Sequence, residues 1–169
     1  MIDSQAYKQV LGAFPTGVTV VTALDANDRL VGFTASAFSA VSMDPPLVLV
    51  CPSLGSDSYP VIRDSGHFAI HILGHEQESI AYRFASKGSD KTKGIAWHRS
   101  AHGNALLDGA AAYLECRLWE DYPGGDHAIL VGEVQALWVD TAEQADPLLY
   151  CRGKMGKLPP TLSLMAATA

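Results

Sequence analysis

The chain has 169 residues, 48% of them hydrophobic and 18% charged, with a net charge of -6 at pH 7 and a pI near 5.4. That length suits one domain with a substantial core and is short for two. An acidic balance of this size offers no electrostatic footprint for a nucleic-acid backbone or an anionic membrane, so neither is expected as a partner.

Tyr7, Val10, Leu11 and Phe14 recur at helical spacing behind the candidate cap Ser4, which predicts a short amphipathic helix stopped by Pro15 and Gly17. No basic start with an apolar signal core opens the chain, and no apolar run reaches the length of a membrane span, so a cytoplasmic location is expected. The β-branched run 18–22 and the run 30–33, joined by turn formers at 25–28, predict a hairpin. Strand follows strand with no helix between, which argues for antiparallel pairing, because a parallel crossover needs about a dozen residues. Residues 47–51 form a continuous apolar run of the kind buried on both sides in a barrel or sandwich.

Residues 56–64 predict a short helix capped by a serine, residues 68–73 a strand, and residues 77–85 a helix with Ile80, Ala81, Phe84 and Ala85 on one stripe. Residues 86–93 are polar. Leu114, Cys116 and Leu118 alternate with Tyr113, Glu115 and Arg117 in a strand over 112–120, and residues 127–139 make a long strand after a turn at 122–126. No repeat or interdomain linker interrupts this order. The expected fold is mainly β, an antiparallel barrel with a few peripheral helices.

Residues 32–46 are small and hydroxyl-rich, with Phe33 and Phe38 as anchors in the core. Such a run leaves amides and hydroxyls reachable and suits one wall of a pocket for a planar, phosphate-bearing cofactor. It equally suits an exposed Ser/Thr-rich strand and turn. Thr34, Ser36, Ser39, Ser42, Ser53, Ser56 and Ser58 supply hydroxyls for a phosphate, and a helix starting near Ser56 or Ser58 would add its free N–H groups. Neither a glycine-rich dinucleotide fingerprint nor a P-loop is present, which excludes the commonest nicotinamide-dependent architectures.

His127 follows Gly124, Gly125 and Asp126 at the start of a strand, where it is either a ligand-touching imidazole at a barrel rim or a turn histidine in solvent. His67, His71 and His75 are spaced by four, but on a strand that spacing puts them roughly 13 Å apart, so no metal site is expected. Cys51, Cys116 and Cys151 are widely spaced in apolar surroundings and read as buried, reduced thiols. Tyr150, Arg152 and Lys154 can flank a nucleotide or cap a terminal strand. Asp126 and His127 with a serine would make a hydrolase triad on paper, without a nucleophile-elbow motif to support it.

Residues 14–22, 32–46 and 68–73 with Gln77, Phe84 and Ala85, then Gly125-Asp126-His127, and finally Leu148-Leu149-Tyr150 through Gly153, resemble the short-chain flavin reductases. These are the reductase components of two-component flavin-dependent monooxygenases. The similarity runs in order over residues 4–158, which the resemblance makes one flavin reductase-like FMN-binding split-barrel domain, followed by a tail at 159–169. It implies a Greek-key split β-barrel, a homodimer, that oxidises NADH or NADPH, reduces FMN or FAD, and releases reduced flavin to a separate monooxygenase.

Position by position, the resemblance assigns Thr34, Ala35, Ser36, Ala37, Phe38, Ser39 and Ser42 to the flavin ring. Cys51, Pro52, Ser53, Ser56, Ser58 and Tyr59 go to the ribityl phosphate, with Phe84 and the Ser86 to Lys91 loop, Lys91 included, closing that side. His127, Tyr150 and Arg152 would meet the nicotinamide, His127 by orienting it or donating a hydrogen bond. Two positions depart from the family pattern: Lys154-Met155 replaces an Arg-aromatic pair, and Thr92 replaces an aromatic after Asp90-Lys91. A non-catalytic flavin-storage barrel is the alternative, and a split-barrel oxidase of a phosphorylated pyridoxal vitamer is disfavoured because few basic residues cluster near the pocket.

Overall fold

The computed structural model describes residues 2–141 and 146–159, and the expected tail beyond Pro159 lies outside them. Helix α1 (Ser4–Gly12) is capped by Asp3 rather than Ser4, its Oδ2 accepting from the Ala6 N–H at 2.8 Å. None of its residues is buried, and Tyr7, Val10, Leu11 and Phe14 stand exposed. Then come β1 (Thr16–Gly17), β2 (Thr19–Leu24), β3 (Leu30–Ala35), β4 (Phe38–Met43), β5 (Pro46–Val50), α2 (Ser58–Ser65) and β6 (His67–Ile72). A 3-10 turn at His75–Gln77 leads into α3 (Glu78–Ala85), and a second lies at Ser89–Thr92. The chain continues through β7 (Trp97–Arg99), β8 (Ala105–Leu107), β9 (Ala112–Gly124), β10 (His127–Val139), β11 (Leu149–Cys151) and β12 (Lys154–Gly156).

Seven strands form one antiparallel sheet in the order β3-β2-β6-β9-β10-β5-β4. Hairpins supply β2–β3, β4–β5 and β9–β10, while longer connections bring β6 between β2 and β9 and β5 beside β10. The sheet curls round a shared core: Phe33 and Ala35 from β3 meet Val48 and Val50 from β5, and Phe38 of β4 packs on the same cluster. This is the expected mainly β, antiparallel split barrel, with α1, α2 and α3 at its periphery.

Strand β2 is buried along its whole length. Val21 and Ala23 face the barrel core, whereas Val20 and Leu24 face a second cluster with Leu73, Ala81, Phe84, Leu107 and Leu148. Each such valine, leucine or phenylalanine stabilises the fold by roughly 1.5–3 kcal/mol. The sequence predicts this two-sided burial for β5 instead. There only Val48 and Val50 are buried, while Leu47 and Leu49 remain half-buried on the outer face. Helix α2 likewise departs from expectation: Asp57 occupies its N-cap, and no side-chain cap bond forms.

His71 is fully buried, its Nε2 accepting from the Leu107 N–H at 3.0 Å and its Nδ1 lying 3.1 Å from the Val20 carbonyl. The backbone takes both ring nitrogens, which fixes the proton on Nδ1 and removes His71 from any set with His67 and His75. Burial pushes its pKa down to about 4. The three cysteines are free, with Cys116 buried and Cys51 and Cys151 only half-buried. Among the described residues no helix is long and apolar enough to cross a membrane.

Candidate functional site

The site begins with how α3 rests on β3. Gly32 lies flat beneath it: a Cβ there would come within 2.7 Å of the Phe84 ring and 2.6 Å of the Val21 carbonyl oxygen. Two residues on, the Thr34 hydroxyl donates to the Ala81 carbonyl at 2.6 Å and ties the helix down. The hydroxyl that the sequence offers to a ligand therefore anchors α3, and Thr34 acts on the site partly through Phe84.

Opposite this wall, the loop between β5 and α2 is pinned to the tip of the β9–β10 hairpin. The Leu54 N–H donates to the Asp126 carbonyl at 3.0 Å, the Ala128 N–H donates to the Pro52 carbonyl at 3.0 Å, and Ser53 bridges His127. Gly125, with φ of +81°, lets the hairpin turn in two residues. Within the loop, Ser53 and Ser56 accept from the amides of Gly55 and Ser58, both at 3.3 Å.

Between the two walls lies a cleft of about 490 Å³. Of the predicted residues it brings together Thr34, Cys51, Ser53, Ser56, Phe84, Lys91 and His127. Ser86 and Lys87, from the loop that the resemblance sets at that side, join them, and the cleft adds Phe33, Gly55, Asp57 and Ala85. With two lysines lining the cleft, the expectation that few basic residues cluster there is corrected.

At the cleft, His127 Nδ1 lies 2.7 Å from the Asp126 carboxylate. That hydrogen bond, and then the charge of His127, holds the Asp126 carboxyl below its ordinary value. With Nδ1 so engaged, Nε2 is the ring nitrogen left for a ligand. Burial pulls the Lys91 ammonium below the usual lysine value, with the neighbouring Asp57 carboxylate opposing it. Burial also pushes the Cys51 thiol up, so it stands in the site as a neutral thiol.

The remaining predicted residues sit elsewhere. Ala35 is buried in the barrel core and Phe38 packs on it. Ala37 is exposed between β3 and β4, Ser42 is half-buried on β4, and the Ser39 hydroxyl donates to the Ala40 carbonyl at 3.0 Å. Pro52 is buried, and Ser58 is buried with no partner for its hydroxyl among the described residues. Tyr59 donates to the Asp121 carboxylate at 2.7 Å, a strut between α2 and β9 rather than part of the cleft. Ser36, Tyr150 and Arg152 line a separate cavity of about 750 Å³ with Lys8, Phe14 and Thr16.

A cradle of serine hydroxyls, two lysines and a helix N-terminus, walled by phenylalanines, is a donor set suited to a phosphorylated aromatic ring. The chain as a whole is similar to known proteins. The flavin reductase-like domain model matches residues 11–159. The chain is 39% identical over 159 residues to the flavin-dependent monooxygenase reductase subunit HsaB of Mycobacterium tuberculosis, covering 94% of this chain and 84% of that protein. The crystal structure of nitrilotriacetate monooxygenase component B from Mycobacterium thermoresistibile superposes with a TM-score of 0.90 at 38% identity, covering 94% of this chain and 88% of that one. The NADH:FAD oxidoreductase SgcE6 of Streptomyces globisporus, solved in complex with NAD and FAD fragments, gives 0.86 at 34% identity, covering 95% of this chain and 97% of that one. This chain belongs to the flavin reductase-like family.

Proposed function

We infer that the chain is the reductase component of a two-component monooxygenase, an NAD(P)H:flavin oxidoreductase that supplies reduced flavin to a separate oxygenase. The observation that carries this reading is the single cleft in which Lys87, Lys91, Ser53 and Ser56 stand together with Phe84 and His127. When bound, FMN or FAD supplies the chemistry, taking a hydride from NADH or NADPH. The chain's own residues do the positioning. Lys87 and Lys91 neutralise the phosphate, and Ser53 and Ser56 add hydroxyl contacts. Phe33 and Phe84 keep water from the ring.

His127, held through Nδ1 by Asp126, presents Nε2 to the nicotinamide and orients it, without serving as an obligatory base. Tyr150 and Arg152 take the remainder of the nicotinamide dinucleotide from the neighbouring cavity beside Ser36. Stacking rings at roughly 3–3.5 Å is the main requirement of hydride transfer, so a site that positions both rings suffices. Mixing the protein anaerobically with either nicotinamide and either flavin bleaches the flavin's visible absorbance. No bleaching in any combination overturns the reading.

A homodimer is part of the proposal. Val41 and Met43 on the edge strand β4, and Leu137, Trp138 and Val139 at the end of β10, are exposed, and Leu47 and Leu49 are only half covered. An apolar edge of this kind calls for a partner. Light scattering that returns a monomer at micromolar concentration would exclude it. The domain is assigned to residues 4–158 and the location to the cytoplasm, where NADH is available and the free Cys51 and Cys151 stay reduced.

A further inference from the structure

Every residue from Tyr122 to His127 is exposed, so the tip of the β9–β10 hairpin that carries His127 has no core packing to set its angle. Backbone contacts fasten the tip itself: the Leu54 N–H on the Asp126 carbonyl, the Ala128 N–H on the Pro52 carbonyl, and the bridge between Ser53 and His127. Further down, where the hairpin leaves the barrel, a side-chain bond holds it. The Tyr59 hydroxyl donates to the Asp121 carboxylate at 2.7 Å.

Tyr59 is itself braced. It lies in the first turn of α2, its ring packs on the barrel core, and the Arg63 guanidinium, one turn on, stands 5.8 Å from the ring centroid. A ring gripped in this way aims its hydroxyl in one direction, so the bond carries the position of α2 to the hairpin. Asp121 pairs across the hairpin with the fully buried Leu130, three residues beyond His127. The loop that carries Ser53 and Ser56, the start of α2 and the hairpin arm thus close a ring of bonds. With the Tyr59 link gone, the hairpin can pivot about the backbone bonds that remain, and His127 at the exposed tip moves with it.

We propose that Tyr59 and Asp121 are positioning residues for hydride transfer: their hydrogen bond holds the hairpin at the angle that presents His127 Nε2 to the nicotinamide. The inference rests on the reductase reading and adds to it two residues that lie outside the cleft. The rival role is stability alone, and a bond that only supports the barrel acts the same with or without His127.

Tyr59→Phe removes the hydroxyl and keeps the ring. It should lower kcat/KM for NADH by about fivefold while the flavin Kd changes by less than about twofold. In a His127→Ala background it should lower kcat/KM no further, because the group it positions is gone. Asp121→Asn, whose amide oxygen still accepts, should match the unaltered protein, and Asp121→Ala should match Tyr59→Phe. Amide exchange reads the same strut without turnover: in Tyr59→Phe residues 124–127 should exchange about tenfold faster, while β6 in the middle of the sheet keeps its protection.

Unchanged kcat/KM in Tyr59→Phe overturns the proposal. So does a loss that persists at full size in the His127→Ala background or falls equally on flavin affinity, since either makes the strut a general support. An Asp121→Asn protein as impaired as Asp121→Ala also overturns it, by assigning the effect to charge. Should Tyr59→Phe fail to fold, the two Asp121 variants decide. A protein that reduces no flavin with either nicotinamide would strike the reductase reading itself, and unchanged exchange at 124–127 would separately strike the strut.

Discussion

Acid should weaken this fold through His71 before it protonates the carboxylates. In the folded chain both His71 ring nitrogens are bonded to backbone, one as donor and one as acceptor from the Leu107 N–H. A second ring proton would face that N–H, and burial, opposed by the hydrogen bond to the Val20 carbonyl and joined by a smaller lowering from the charge of His98, pushes the folded pKa from 6.5 to about 4. The sign follows from linkage. The unfolded chain binds the proton first, so this stability is fully present above pH 6.5 and is lost as pH falls toward 4. At 1.36 kcal/mol per pKa unit the whole loss is about 3 kcal/mol, of which about 2 kcal/mol has gone by pH 5. That is a large share of the roughly 5–15 kcal/mol typical of a domain. Urea midpoints measured from pH 8 to pH 5 should fall accordingly, and the His71 ring resonance should stay that of a neutral imidazole down to pH 5. A His71 that titrates near 6.5 in the folded protein would refute the burial argument.

Three variants probe the cleft. Gly32→Ala drives a methyl into Phe84 and the Val21 carbonyl, so urea denaturation should show a loss of about 1–3 kcal/mol and flavin titration a weaker complex; unchanged values for both would mean that α3 is not seated by Gly32. Replacing Lys87 and Lys91 together by glutamine should weaken FMN binding by about tenfold or more and leave riboflavin, which lacks the phosphate, unaffected. An equal loss for both ligands would remove the lysines from the phosphate. His127→Ala should lower kcat/KM for NADH by about tenfold while flavin affinity holds, and unchanged steady-state kinetics would strip His127 of its role.

Much of this was legible in the sequence, and the boundary is physical. Strand succession without crossovers dictated antiparallel pairing, and the start of β10 at His127 followed from Gly124-Gly125-Asp126. Burial was less legible, because it depends on what packs above a strand: β2 reads no more apolar than β5, yet α3 and the β7–β8 ribbon cover β2 and leave β5 uncovered. The histidines at 67, 71 and 75 look alike in a pattern, and only the fold makes His71 a core hydrogen-bonding hub. Likewise, hydroxyl-rich residues 34–42 read as one wall. The pleat and the β3–β4 turn divide them, giving Thr34 to one cavity, Ser36 to another and Phe38 to the core.

That division exposes what the proposed flavin site requires of the barrel. Phe33 and Thr34 come from β3, the first strand of the sheet, while Cys51 follows β5 and His127 begins β10, near the opposite end. The cleft exists only because the sheet closes and brings those ends together. A ligand in it spans the seam, and its binding energy opposes opening of the seam by mass action, by about 2.7 kcal/mol at a hundredfold excess over Kd. Amide exchange should therefore slow on adding FMN at residues 33–36 and 51–58, on the two sides of the closure, more than in β11 and β12, which lie in a separate sheet. Protection gathered instead around Tyr150 and Arg152 would place the flavin in the other cavity and refute the seam as its site.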